Sequence, residues 1–153
     1  MENKINILVS ACLLGYNCKY NGFNNYNNQV SELSLYDNVV IHPVCPEMDG
    51  GLTSPRKPCE IICEKVVTKD GDDYTQYYKK GALIALEVAT DNNCKIAVLK
   101  AKSPSCGYKQ IYDGTFSHNL ISGNGVACNM LLNSGVKIYT EEDVCLLIDE
   151  LKK

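Results

Sequence analysis

Three cysteines occupy the same kind of position, each following an apolar run and lying beside turn residues. Cys12 comes after Ile5-Asn6-Ile7-Leu8-Val9-Ser10-Ala11 and before Leu13-Leu14-Gly15. Cys45 comes after Val39-Val40-Ile41-His42-Pro43-Val44 and before Pro46-Glu47. Cys106 lies beyond Ile96-Ala97-Val98-Leu99, within Ser103-Pro104-Ser105-Cys106-Gly107. If these runs are strands of an open parallel sheet, their carboxyl ends share the crevice in which such sheets bind ligands. Three thiolates delivered there could hold a cuboidal iron–sulfur cluster and leave its fourth iron open to a substrate. Packing beside a turn accounts for any one of these cysteines; three together point to a metal or redox centre.

The neighbouring residues narrow the chemistry. No Cys-x-x-Cys pair occurs, which disfavours a zinc ribbon or a thioredoxin-type dithiol. His42 and His118 lack ligand spacing and read as structural, so a thiolate-only site favours iron–sulfur or a soft metal. Cys18 follows Cys12 closely enough to be a fourth ligand or a redox partner; it could equally be a thiol packed under the tyrosine-rich loop. Glu47, two residues after Cys45, could move protons if burial raises its pKa towards working pH, or it could be a solvated turn residue. Ser103 could hydrogen-bond a substrate or merely stabilise the turn at Pro104. Gly123-Asn124-Gly125 before a helix could present N–H groups to an anion, although a plain turn explains it as well. Cys63, Cys94, Cys128 and Cys145 lie in or beside apolar stretches and read as small hydrophobes, while Cys59 carries no assigned role.

The elements that must position these groups follow from periodicity. Residues 5–11, 38–44, 60–68, 95–100 and 136–139 read as strands, and 13–29 as an irregular loop. A short helix fits 30–36. The clearest helix runs from Asp72 to about Asn92, where Tyr74, Tyr78, Ala82, Ala85, Leu86 and Ala89 recur at helical spacing and Asp72 or Asp73 can cap the start. A further helix spans 126–133 with Gly135 closing it, and Thr140 is the expected N-cap of the last helix. Pro55 and Pro58 keep 50–58 out of any helix interior. Strands alternating with helices predict an α/β fold, a single domain over 1–153 with a mostly parallel sheet covered by helices on both faces.

Bulk properties agree with this picture. A chain of 153 residues suits one core, and 45% hydrophobic with 22% charged residues excludes a disordered chain. A net charge of −3 without charge blocks argues against a nucleic-acid or anionic-membrane surface. No apolar run is long enough to cross a bilayer and the start lacks a secretory pattern, which makes a soluble cytoplasmic protein the default expectation. Nine cysteines in a reducing compartment favour metal binding or catalysis over disulfides.

The motifs together resemble a known family. Ser10-Ala11-Cys12-Leu13-Leu14-Gly15 with Cys18, then Pro43-Val44-Cys45-Pro46-Glu47, Gly50-Gly51-Leu52, Pro55-Arg56 and Glu60-Ile61 match it in order. Ser103-Pro104-Ser105-Cys106-Gly107, Ile111-Tyr112-Asp113-Gly114-Thr115-Phe116 and Gly123-Asn124-Gly125-Val126 continue the match. The chain resembles a family long known only as a domain of unknown function and now associated with thiouracil desulfidases. The resemblance implies a [4Fe–4S] cluster ligated by Cys12, Cys45 and Cys106, a catalytic pair Glu47 and Ser103, and a small thiolated base as substrate, its sulfur on the open iron and leaving as hydrosulfide without net redox change. The competing class is a non-catalytic iron–sulfur or metal-binding module, or a sulfur carrier.

Overall fold

The computed structural model describes residues 3–153. Its centre is a four-stranded parallel sheet, built in chain order by β1 (Ile5–Ser10), β2 (Val39–Val44), β5 (Ile96–Leu99) and β8 (Lys137–Thr140), arranged β2-β1-β5-β8. Between β1 and β2 a 3₁₀ turn (Ala11–Leu14) leads into the long loop and then α1 (Asn28–Ser31), whose N-cap Asn27 accepts the N–H of Val30. Four-residue α2 (Pro46–Asp49) follows β2 directly, with proline at its first turn, where a missing N–H costs nothing. Next come β3 (Cys59–Ile62), β4 (Lys65–Thr68) and the long α3 (Thr75–Asp91). The chain finishes as β5 (Ile96–Leu99), β6 (Gln110–Tyr112), β7 (Leu120–Ser122), α4 (Val126–Asn133), β8 (Lys137–Thr140) and α5 (Val144–Leu151).

Both faces of the sheet are buried, as parallel strands require. Alternate residues of β1 serve opposite cores. Leu8, with Ala97, Leu99 and Ile138, packs against Ala89 of α3 and Cys128 and Leu131 of α4. Ile7 and Val9, with Val98 and Tyr139, pack against Val30, Leu33 and the Val144, Leu147 and Ile148 stripe of α5. This is the expected α/β domain with helices on both faces. Because β1 pairs with β2 on one side and β5 on the other, the order of connection reverses between β1 and β5, and the crevice opens there.

Several expectations need correction. Residues 60–68 form not one strand but the antiparallel hairpin β3–β4, turned at Cys63 and Glu64 with φ of 49° and 66°. Positive φ at both central positions defines a type I′ turn, and Cys-Glu lacks the Asn-Gly signal that announces one. Thr140 makes the expected reciprocal bonds, its N–H donating to Asp143 Oδ1 at 2.8 Å and its Oγ1 accepting the Glu142 N–H at 3.1 Å, but it ends β8 and these bonds close a turn, so that α5 starts only after Asp143. Cys63 and Cys145 are exposed rather than packed as small hydrophobes, whereas Cys94 and Cys128 are buried as expected. The β6–β7 hairpin was not legible, because three-residue strands carry too little periodicity. The N-cap position of α3 falls to Tyr74 rather than to Asp72 or Asp73, although Asp73 Oδ1 accepts the Thr75 N–H at 2.9 Å just ahead of it.

Candidate active site

The sheet delivers the three strand-end cysteines to one cavity of about 480 Å³. Cys12 sits on the 3₁₀ turn immediately after β1, Cys45 between β2 and α2, and Cys106 on the turn after β5. Lys100 N–H donates to Ser10 Oγ at 2.9 Å, pinning the ends of β1 and β5 together. The loop over 13–29 is tied to Cys12 as well, Asn25 N–H reaching the Cys12 carbonyl at 2.9 Å.

Electrostatics sort the thiols. Burial pushes the Cys12 and Cys106 thiols up, partly offset by hydrogen bonds from Asn25 and Ser10 respectively. The Cys45 thiol is held down and the Cys18 thiol pushed up, each chiefly by facing the other. Cys18 therefore lines the cavity beside Cys45, and its carbonyl receives Cys45 Sγ at 3.7 Å and Arg56 Nη2 at 2.9 Å.

Glu47 is held from three directions. Its Oε1 accepts Arg56 Nε at 3.1 Å and the Tyr78 hydroxyl at 2.9 Å; its Oε2 accepts the Ser105 hydroxyl at 2.8 Å. The Arg56 and Glu47 side chains are only 6% and 14% exposed, so the pair is screened far less than a surface bridge. The solvated-turn alternative for Glu47 is thereby excluded. Ser103 lies in the same cavity but meets no part of Glu47: its Oγ accepts the Ser105 and Cys106 N–H groups and lies 2.9 Å from Ser105 Oγ.

Arg56, Tyr78 and Ser105 escaped the sequence reading of the site. Tyr78 showed only as one member of a helical stripe, and 1% exposure fits that, yet its hydroxyl is a functional handle. Arg56 and Ser105 appeared inside motifs without a role. Gly123-Asn124-Gly125 does not present free N–H groups to an anion. The first N–H groups of α4 are already taken: Val126 by Pro104 O, and Ala127 and Cys128 by Ser105 O, at 2.9–3.1 Å. A Cβ on Gly125 would lie 2.5 Å from Ser105 C and O, so glycine is what lets α4 clamp the cysteine turn. Of the histidines, His42 is structural, hydrogen-bonding Asn6 Oδ1 at 3.0 Å, while His118 lines the cavity against Tyr112.

The donor chemistry fits a polynuclear iron centre. Among the described residues no three His, Cys, Asp or Glu converge closely enough to hold one metal ion. The cavity thiols Cys12, Cys45 and Cys106 come from three separate strand ends, as a cluster held by one cysteine per iron requires. Both Glu47 oxygens already accept hydrogen bonds from neighbours, and the soft donors that line the cavity are cysteines.

A profile of 2-thiouracil desulfurase matches residues 7–143, which span every element named above from β1 to the turn before α5. The chain belongs to the 2-thiouracil desulfurase family. A relative of comparable length, the uncharacterized protein YbbK of Bacillus subtilis (strain 168), is 38% identical over 148 residues, covering 90% of this chain and 97% of that protein. A solved structure of the [4Fe-4S]-dependent thiouracil desulfidase TudS superposes with a TM-score of 0.87 at 35% identity, covering 99% of each chain.

Proposed function

We propose that this member of the family is a [4Fe–4S]-dependent thiouracil desulfidase, exchanging the thiocarbonyl sulfur of a thiolated pyrimidine base for oxygen from water and releasing hydrosulfide. The observation that carries this reading is a carboxylate fixed by three donors beside three thiols in one cavity. Family membership and the likeness to TudS support it. Cys12, Cys45 and Cys106 would hold the cluster, with Cys18 lining the cavity beside Cys45 and meeting its sulfur through the backbone carbonyl rather than standing at a strand end of its own. When bound, the cluster supplies an iron with an open coordination position, a soft Lewis acid suited to a thiocarbonyl sulfur.

The chain's own residues handle the water and its protons. Arg56 and Tyr78 occupy Oε1 of Glu47 and fix the plane of the carboxylate, so proton transfer falls to Oε2, which has one donor and a lone pair to spare. Glu47 takes a proton from the attacking water and returns it to the departing product, so the exchange closes without an electron donor. Ser103 supports this exchange from the turn that carries Cys106. The domain and its cavity are sized for a free base or a similarly small molecule.

The test is anaerobic reconstitution followed by turnover. Loaded protein should carry about four irons per chain, as a cuboidal cluster does. It should convert thiouracil to uracil, read by loss of the thiocarbonyl ultraviolet band, with no reductant added. Glu47→Gln at matched iron should retain the cluster and lose about a hundred- to ten-thousand-fold in rate. Binding of thiouracil without turnover by fully loaded protein would make this a cluster-binding module instead.

A further inference from the structure

The Ser103 hydroxyl has no capacity left for a substrate. Its oxygen accepts the N–H of Ser105 at 3.1 Å and of Cys106 at 3.0 Å, which uses both lone pairs. Ser105 Oγ lies 2.8 Å from Glu47 Oε2, and an ionised carboxylate only accepts, so the Ser105 proton points at Glu47. The hydrogen in the 2.9 Å contact between the two serines therefore belongs to Ser103. The chain has one direction, from Ser103 to Ser105 to Glu47.

Ser105 is also built to stay where it is. It is 2% exposed, its carbonyl receives two N–H groups of α4, and its Oγ lies 3.7 Å from the sulfur of Cys106. One hydroxyl thus touches both the carboxylate and a proposed ligand, and it is the single link between Glu47 and Ser103.

We propose that Ser105 is the positioning residue through which Ser103 acts: it aims Oε2 of Glu47 at the reacting water, and Ser103 contributes by holding Ser105. The inference rests on Glu47 being the proton-handling group. Without the Ser105 hydroxyl, Oε2 loses its only fixed partner, while the two donors on Oε1 keep the carboxylate in place. Substrate contacts are untouched, so the effect belongs in kcat rather than KM.

The experiment is a pair of cycles. In loaded protein at matched iron, Ser105→Ala should lower kcat about ten- to a hundredfold, the size of one hydrogen bond to a charged group, with KM little changed. In a Glu47→Gln background the same substitution should alter kcat less than about twofold, because coupled residues do not act additively. A purely structural serine would cost the same factor in both backgrounds. The second cycle uses cluster-free protein and denaturant unfolding, where Ser103→Ala and Ser105→Ala together should cost less than their separate losses combined. Multiplying rate losses, additive unfolding losses or a wild-type kcat in Ser105→Ala would each overturn the link. Fully loaded wild-type protein without turnover would instead remove the desulfidase reading, while the unfolding cycle would still decide the link.

Discussion

Gly81→Ala should damage the site from the far side of α2, and the size of the effect follows from one contact. A Cβ at residue 81 would stand 1.7 Å from the Pro46 carbonyl oxygen and 2.6 Å from its carbon. Both are backbone atoms of the turn between Cys45 and Glu47, so no side chain can swing aside. To regain even the 3.4 Å of ordinary contact, α2 must retreat from α3 by about as much again as the present gap. In an exposed helix the substitution would stabilise by about 1 kcal/mol. Here overpacking costs about 1–3 kcal/mol or more and overrides that gain. The retreat also pulls Glu47 from the Tyr78 hydroxyl and shifts Cys45, and misplacement on the order of 1 Å can cost about a hundredfold in rate. Denaturant unfolding, iron per chain after anaerobic reconstitution and turnover of thiouracil measure the three consequences, with Lys80→Ala on the exposed side of α3 as control. A Gly81→Ala protein as stable as wild type, fully loaded and fully active, would refute the reasoning.

Further outcomes are expected elsewhere. Cys12→Ala, Cys45→Ala and Cys106→Ala should each abolish iron retention, whereas Cys63→Ala and Cys145→Ala should leave the iron count unchanged, as measured by iron and sulfide analysis. Cys18→Ala should keep the cluster and weaken its hold through Cys45; complete loss of iron there, with Cys45→Ala tolerated, would reverse their roles. Arg56→Leu should destabilise the fold by about 3–5 kcal/mol in chemical unfolding, because it strands a largely buried Glu47 and frees the Cys18 and Thr53 carbonyls that the guanidinium holds. In cluster-free protein at neutral pH, alkylation followed by peptide mass analysis should mark the exposed Cys63 and Cys145 early and Cys59 and Cys128 late, since burial pushes the latter two thiols up to about 11 and about 12. Early labelling of Cys128 would mean that α4 does not pack on the sheet as described.

The family and the meeting of three cysteines in one cavity were legible in the amino-acid order, because both are local matters. An apolar run ending at a turn fixes where a strand stops, and whatever follows it is placed at the carboxyl edge. Cys12, Cys45 and Cys106 each follow such a run, so sequence alone brought them to one rim. Glu47 came with Cys45 for the same reason. What surrounds Glu47 could not be read this way. Tyr78 arrives from the middle of α3, Arg56 from an irregular loop and Ser105 from the turn beyond β5, and their meeting depends on the order β2-β1-β5 and on how closely α2 approaches α3. Gly81 by residue type is merely a poor helix former; in the fold it is the reason that approach is possible. Likewise Gly123-Asn124-Gly125 by sequence admits an anion-binding turn or a plain one, and packing decides against the first by spending the helix's N–H groups on the carbonyls of the cysteine turn. Periodicity determines what an element is and where it ends; which hydroxyl, guanidinium or backbone carbonyl it meets is decided by non-local packing, which no stretch of sequence contains.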